Sequence, residues 1–150
     1  MKQDISSGKV VRMSRRASFS SAHLYSNRSF SEQENKATFG KCFTEHGHGH
    51  NYLLEAFFEG RIDAKSGLII NLLDIDDLLK VLTEVLDHKH LNFDVPEFKE
   101  TIPTSENLAR YCFLKLEDLR QAKLPQVDMR LYKVRLFETD DLWVEFGAST

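Results

Sequence analysis

Apolar side chains at every second position restrict the fold of this chain more than any other feature of its sequence. The pattern is clearest over residues 52–59, where the even positions are apolar while Glu55 and, four positions on, Glu59 are odd. This alternation is typical of a strand that buries one face. Residues 10–22 and 129–138 alternate in the same way, and both are predicted strands.

Turn sequences after two of these strands predict two hairpins. IDAKSG and then the apolar run LIINL follow the strand that begins at residue 50, so residues 50–72 are predicted to form one hairpin. The turn TDD follows residues 129–138, and LWVEFG at residues 142–147 completes the second hairpin. The polar stretch 26–41 is predicted to be a loop with a short helical turn.

Two helices are predicted from apolar residues that recur every three or four positions. The first begins at an Asp74 cap, and its apolar face comprises Ile75, Leu78, Leu79, Leu82, Val85 and Leu86. The second begins at a Thr104 or Ser105 cap and extends to about Gln121. Its stripe comprises Leu108, Cys112, Leu116 and Leu119. The order of elements predicts an α+β fold in which helices cover one face of an antiparallel sheet.

Size and charge limit the class of protein. A chain of 150 residues, 41% apolar and 29% charged, has the size of one domain with its own core. We therefore expect residues 1–150 to form a single domain, with a flexible N-terminus over about residues 1–9. The net charge of -3 argues against a nucleic-acid partner, because phosphate affinity comes mainly from clustered lysine and arginine.

Hydropathy and cysteine content predict the compartment. No apolar run reaches the roughly 18 residues of a membrane span, and the sequence MKQDISSGKV lacks the apolar centre of a secretion signal. Cys42 and Cys112 are too few for a disulfide framework and fit a reducing compartment. We therefore expect a cytoplasmic protein with no membrane partner. Cys112 lies in an apolar helical pattern and is predicted to pack in the core, whereas Cys42 has no such cover.

The segment CFTEHGHGHNY, residues 42–52, is dense in histidine. In an extended segment residues two apart point the same way, so His48 and His50 share a face and can ligate one ion. His46 has the same parity but lies in a glycine-containing loop, where strand geometry cannot be assumed. Three imidazoles suit zinc and leave the fourth coordination position for substrate or water. His23, at the end of a predicted strand, could supply a ligand from a separate segment.

Two other interpretations of these histidines remain open from the residues alone. The run HGHGH can be a polar turn that binds nothing. It can also form a closed structural site in which Cys42, His46, His48 and His50 are the four ligands. The closed site is less favoured, because structural sites usually draw their ligands from two separated segments.

Two further positions have residue types suited to catalysis or binding. In LDHKHLN, Asp87 directly precedes His88, and a carboxylate that orients an imidazole gives a proton relay near neutral pH. Such pairs are also common structural features of helix ends. Glu138 ends an apolar strand face, so it is either exposed at the strand end or buried to hold a ligand with its two acceptor oxygens.

Taken together, the motifs SRRASFSSAH, FGKC, GHGHNY, LDHKHLN, TSEN and YKVRLFETD resemble, in this order, the 6-pyruvoyl-tetrahydropterin synthase family, and most closely its animal-type members. The resemblance covers roughly residues 14–148. It implies the T-fold of that family, a four-stranded antiparallel sheet with two helices on one face. Three subunits would form a barrel, and two trimers would stack into a homohexamer with active sites between subunits. This assembly would cover the second sheet face and the sheet edges.

The resemblance also implies a metal site and a catalytic base. The family's three zinc ligands match His23, His48 and His50, which leaves His46 as a neighbour. The catalytic base matches Cys42. A thiolate close to a metal and an imidazolium has a lowered pKa, which would suit this role.

The remaining implied roles concern the substrate. Asp87 and His88 match the family's acid/base pair. Glu138 matches the carboxylate that anchors the 2-amino and N3 edge of the pterin, and Glu106 matches another residue of the pterin pocket. The implied enzyme is a zinc-dependent lyase that converts 7,8-dihydroneopterin triphosphate to 6-pyruvoyl-tetrahydropterin. Triphosphate leaves, and an internal redox shift makes an external hydride donor unnecessary.

Two alternatives differ from this in product or in class. Bacterial relatives release acetaldehyde and triphosphate from the same substrate and make 6-carboxy-tetrahydropterin for the queuosine and deazaguanine pathway. Their cysteine commonly precedes the HGH pair by a shorter spacing than that between Cys42 and His48, although His46 also creates the shorter spacing here. The continuation HNY after Gly49 favours His48 and His50 as ligands, so we expect the pyruvoyl product. The remote alternative is a non-enzymatic zinc-binding module with a closed ligand shell.

Overall fold

A computed structural model describes residues 10–147, and the flexible N-terminus expected at about residues 1–9 lies outside this part. Within residues 10–147, no helix is long and apolar enough to cross a membrane. In chain order the elements are strand β1 (Val10–His23), helix α1 (Glu32–Phe39), strand β2 (His48–Arg61), helix α2 (Leu72–Glu84), strand β3 (Lys89–His90), helix α3 (Leu91–Asp94), helix α4 (Ser105–Lys123), strand β4 (Met129–Phe137) and strand β5 (Trp143–Gly147).

The strands form one sheet in the order β3-β1-β2-β4-β5. β1 and β2 pair antiparallel along their whole length, from Val10 opposite Arg61 to His23 opposite His48. β4 pairs antiparallel with both β2 and β5. The α+β class and the antiparallel arrangement of the four long strands are therefore confirmed. The expected number of four strands is wrong, because the two-residue β3 pairs parallel with β1 and makes a fifth.

The predicted hairpin over residues 50–72 is also wrong. β2 ends at Arg61, and residues 62–71 contain no strand. β1 and β4 occupy both edges of β2, so the run LIINL has no edge of β2 to pair with. Ile70 is buried in the core, and the Asn71 side chain caps α2 by accepting a hydrogen bond from the Leu73 N–H at 3.0 Å. The apolar run therefore leads into a helix.

Both predicted helices form, with shifted boundaries. α2 begins at Leu72, before the expected Asp74 cap, and Val85 is exposed although it was predicted to face the core. α4 begins after the Thr104 cap, as predicted, and extends to Lys123. α1 is a complete helix of two turns where only a helical turn was predicted. Its capping box supplies the side-chain partners that its first turn needs.

The two faces of the sheet differ in composition. The long helices lie on one face, where α2 packs against β1 and α4 packs against β4 and β5. The core on this face includes Phe19, Tyr52, Leu54, Ala56, Phe58, Val134, Leu136 and, as predicted, Cys112. The opposite face carries Glu55 and Glu59, which are buried beneath the arginine side chains that pair with them. The trimer and the hexamer stay predictions.

Candidate metal centre and active site

Three histidines converge at one end of the sheet, on the face that carries the helices. His23 ends β1 and lies opposite His48, the first residue of β2, while His50 lies opposite Ser21. The ring centroids are 4.7 Å apart for His23 and His48, 5.0 Å for His23 and His50, and 4.8 Å for His48 and His50. Alternate residues of β2 share a face, and the antiparallel register places the end of β1 beside them. Strand pairing therefore brings the predicted ligands together.

The loop before β2 separates His46 from this cluster. Gly47 has a φ of 74°, and a Cβ at this position would lie 2.2 Å from the carbonyl oxygen of His23. Only glycine fits such a conformation and such a close approach. The His46 side chain, before this glycine, is 87% exposed and lies 3.9 Å from Glu45. The two histidines that face His23 are therefore His48 and His50. This pair corresponds to the longer of the two possible spacings from Cys42.

Possible ligand atoms form two overlapping groups that share His23. The atoms of His23, Cys42 and His48 lie within 4.8 Å of one another, as do those of His23, His50 and Glu138. His50 Nε2 is buried without a hydrogen-bond partner among the described residues, although Glu138 Oε1 lies 3.2 Å away. A buried polar nitrogen is costly unless it binds something. Imidazole and thiolate donors suit zinc, so the residues fit this ion. Cys42 and Glu138 are two possible donors in addition to the three predicted histidines.

His23 is fully buried, and its two ring nitrogens have different partners. Its Nδ1 lies 2.8 Å from the Tyr52 hydroxyl, and its Nε2 lies 3.2 Å from Nε2 of His48. Burial, followed by the charges of His48 and His50, lowers the pKa of His23 to about 3. The ring is therefore neutral at physiological pH, which is the form that ligates a metal.

Cys42 is held beside the histidines by the turn that follows α1. It ends the 3-10 turn Gly40–Cys42, and its carbonyl oxygen accepts a hydrogen bond from the Tyr25 N–H at 2.9 Å. Partial burial raises the pKa of the thiol, and the charge of Glu138 raises it further. The surrounding protein groups alone thus oppose a thiolate. A lowered pKa at Cys42 requires a cation close to the sulfur.

Glu138 directly follows β4, and its side chain is only 9% exposed. Ser105 Oγ donates a hydrogen bond to Glu138 Oε2, and the Tyr25 hydroxyl lies 3.5 Å from the same oxygen. Burial and the Glu138 charge raise the pKa of Tyr25, so its hydroxyl keeps its proton. Glu106, the residue after Ser105, is exposed in the first turn of α4. Its charge adds to the raised pKa of Tyr25.

Sequence reasoning missed the parts that Ser105 and Tyr25 play around this carboxylate. For Ser105 a signal was available, because a serine at the first position of a predicted helix points its hydroxyl near the helix end. Tyr25 follows β1 in irregular chain, where no periodicity distinguishes it. Its proximity to Glu138 follows only from the three-dimensional fold.

Asp87 and His88 form a separate pair. Asp87 Oδ2 lies 2.8 Å from His88 Nδ1, and Asp87 Oδ1 accepts a hydrogen bond from the Ser20 N–H at 2.8 Å. The Ser20 N–H, followed by His88, holds the pKa of Asp87 below its usual range. His88 has a φ of 56°, a conformation that is uncommon outside glycine and often found at functional sites.

The surroundings of His88 are open. Its side chain is 85% exposed, and with Ser20 and Asn51 it lines a depression of about 500 Å³. Among residues 10–147, no hydrogen bond or ion pair joins Asp87 or His88 to Cys42. Within the described part of one chain, the three predicted catalytic residues are therefore not joined by hydrogen bonds or ion pairs.

Comparisons with known proteins agree on one family. The family model described as 6-pyruvoyl tetrahydropterin synthase matches residues 12–149. The human 6-pyruvoyl tetrahydrobiopterin synthase is 37% identical over 132 residues, which cover 87% of this chain and 87% of the human one. The solved structure of the Caenorhabditis elegans 6-pyruvoyl tetrahydropterin synthase matches with a TM-score of 0.86 and 38% identity, over 94% of this chain and 97% of that one. The Plasmodium vivax 6-pyruvoyl tetrahydropterin synthase, at 16% identity, matches with a TM-score of 0.67 over 95% and 100% of the two chains and supports the fold alone.

Proposed function

The chain belongs to the 6-pyruvoyl tetrahydropterin synthase family, and on this basis we propose that it is a zinc-dependent lyase that converts 7,8-dihydroneopterin triphosphate to 6-pyruvoyl-tetrahydropterin and triphosphate. The observation that carries the proposal is the convergence of three histidines with Cys42 and the buried Glu138 at one end of the sheet. These groups can supply a metal site, a base and a pterin anchor side by side. A reducing compartment such as the cytoplasm would keep the thiol of Cys42 free.

His23, His48 and His50 would hold the metal. Zinc in this position would supply Lewis-acid polarisation of the substrate's oxygen atoms. We assign Cys42 and Glu138 to the substrate, although both border the histidines, because three protein ligands are typical of catalytic zinc sites.

Glu138 would anchor the pterin. An ionised carboxylate only accepts hydrogen bonds, so its two oxygens match the adjacent N–H donors of the 2-amino and N3 edge. Ser105 and Tyr25 both approach Oε2, which fixes the orientation of the carboxylate before substrate arrives. Glu106 stays a predicted residue of the same pocket.

Cys42 would accept the proton that leaves a carbon of the substrate side chain, and the Asp87–His88 pair would return a proton as triphosphate departs. Asp87 occupies Nδ1 of His88, so Nε2 is the nitrogen left to exchange a proton with substrate. Because the His88 side chain is largely exposed, we propose that a second copy of the chain covers it. The active site would then lie between the subunits of a homohexamer built from two trimers.

The reaction is tested by incubating the purified, zinc-loaded protein with 7,8-dihydroneopterin triphosphate and assaying triphosphate, the pyruvoyl product and acetaldehyde. We expect triphosphate and the pyruvoyl product without acetaldehyde. Acetaldehyde together with 6-carboxy-tetrahydropterin would identify the alternative synthase. If the substrate stayed intact, the lyase assignment would be wrong and a zinc-binding module would be favoured.

Two substitutions test the assignment of base and ligand. Cys42→Ala should abolish turnover and retain zinc, whereas His48→Ala should lose zinc, because only the histidine belongs to the proposed metal site. Zinc content by elemental analysis separates the two effects. Loss of zinc from both variants would indicate a closed shell that includes the sulfur.

The shared site is tested by mixing two inactive variants. Cys42→Ala and His88→Ala should each be inactive, but subunits exchanged between them should recover activity at about one quarter of the sites if each site uses two chains. Each variant exchanged with itself is the control. If the mixed protein stayed inactive although exchange had occurred, both residues would have to come from one chain.

A further inference from the structure

Tyr52 contacts His23, one of the three clustered histidines, through Nδ1, the ring nitrogen that is not directed at His48. Tyr52 lies in β2, two residues beyond His50, and is 1% exposed. Its hydroxyl is 2.8 Å from Nδ1 of His23, whose other nitrogen is 3.2 Å from Nε2 of His48. His23 Nε2 therefore faces His48, and Nδ1 faces the tyrosine.

The position of this hydroxyl is set by the core. The Tyr52 ring stacks on Phe19, with centroids 5.1 Å apart and an angle of 17° between the planes. Both residues belong to the buried core between the sheet and the helices. Because close-packed side chains keep one rotamer, the hydroxyl is held in place independently of the loop before β2.

The chemistry of imidazole gives this contact a direction. A neutral ring that gives its Nε2 lone pair to a cation must carry its proton on Nδ1, and that N–H becomes a stronger hydrogen-bond donor. The Tyr52 oxygen is positioned to accept it. In the fully buried surroundings of His23, an Nδ1–H without an acceptor would have a desolvation cost.

We propose that Tyr52 is a positioning residue for the metal site: its hydroxyl fixes the tautomer and the ring orientation of His23, so that Nε2 points at the ion. This inference rests on the proposed zinc site and adds a residue for which the family motifs imply no part in metal binding. In the apolar pattern, Tyr52 is only a core position. Tyr52 touches neither the ion nor the substrate in this proposal and acts through His23.

Tyr52→Phe tests the proposal, with Tyr25→Phe as a matched control. Tyr25 lies closer to His23, with ring centroids 4.4 Å apart against 6.4 Å for Tyr52, but its hydroxyl approaches Glu138 instead. Both substitutions remove one hydroxyl beside the same ring. Zinc affinity, measured by competition with a chromogenic chelator, should fall about 10- to 100-fold in Tyr52→Phe and stay near wild type in Tyr25→Phe.

A double substitution separates positioning from general destabilisation. A His23→Ala variant keeps His48 and His50, so its weak residual zinc affinity is measured in excess zinc, and Tyr52→Phe should lower that affinity no further, because the residue through which Tyr52 acts is gone. The same loss in both backgrounds would overturn the proposal, as would wild-type affinity in Tyr52→Phe. Wild-type affinity in His48→Ala would instead overturn the zinc site itself, so the two failures are distinguishable.

Discussion

Gly47 offers a quantitative test of how closely the loop before β2 approaches the three histidines of the proposed metal site. Gly47→Ala would place a Cβ 2.2 Å from the carbonyl oxygen and 2.9 Å from the carbonyl carbon of His23. A non-glycine residue in this left-handed conformation costs about 1–2 kcal/mol. Relieving the overlap adds about 1–3 kcal/mol, which is the usual cost of overpacking. We expect the free energy of unfolding to fall by about 2–5 kcal/mol in total.

Gly67→Ala is the matched control for this substitution. Gly67 has a φ of 73°, nearly the same as the 74° of Gly47, but no atom lies within 4 Å of an added Cβ in the described structure. The free energy of unfolding of Gly67→Ala should therefore fall only by the cost of the left-handed conformation, about 1–2 kcal/mol. Urea unfolding of both variants in a metal chelator measures the difference, which isolates the close approach to His23. Equal losses in the two variants would refute the steric argument.

The same substitution should affect metal binding. To reach an ordinary contact distance, the new Cβ or the His23 carbonyl group must move by about 1 Å. Metal–ligand distances tolerate only about 0.2 Å, so such a movement disturbs His23 or His48 as ligands. Zinc affinity should fall in Gly47→Ala and stay unchanged in Gly67→Ala. Wild-type zinc affinity in Gly47→Ala would show that the loop can yield without moving the histidines.

Three further substitutions test separate parts of the structure. Glu138→Gln should raise the KM for the pterin substrate about 10- to 100-fold at unchanged zinc content, since it loses a charged acceptor; an unchanged KM would argue against the anchor. Arg120 lowers the pKa of Glu117 from its ordinary 4.5, so this pair stabilises the fold above that pH and the stabilisation disappears as the pH falls through the lowered pKa. Urea unfolding of Glu117→Gln should therefore show a loss at neutral pH that vanishes in acid. Asn92→Ala removes two hydrogen bonds to the Leu24 backbone, at 2.8 and 2.9 Å, and should reduce the free energy of unfolding by about 1–3 kcal/mol in the same assay.

The sequence predicts those parts of the fold where one short-range pattern dominates. β2 is an example, because the alternation from His48 through Tyr52 to Phe58 already assigns every side chain to a face. LIINL shows the limit of this reasoning. A short apolar run is compatible with a strand or with the approach to a helix, and the choice depended on the edges of β2, which distant strands occupy.

The candidate site shows the same division. The shared face of His48 and His50 follows from their spacing, but the approach of His23 requires the pairing of β1 with β2. Periodicity does not specify such a pairing between residues so far apart in the chain, so the residues alone gave His23 only as a possible ligand, and the resemblance to a known family assigned it. The contacts of Tyr25 with Glu138 depend on irregular chain, and no local pattern predicted them.

The core and the candidate metal site depend on a single register. Leu54, Ala56 and Phe58 pack under the helices, and His48 and His50 continue the same alternation toward the end of β2. A shift of one residue between β1 and β2 would turn the histidines and the apolar residues to the opposite face together. Burial of the apolar residues therefore also aligns the imidazoles. It follows that a cation bound to these histidines would stabilise the same register, so metal binding and the correct pairing of β1 with β2 should reinforce each other.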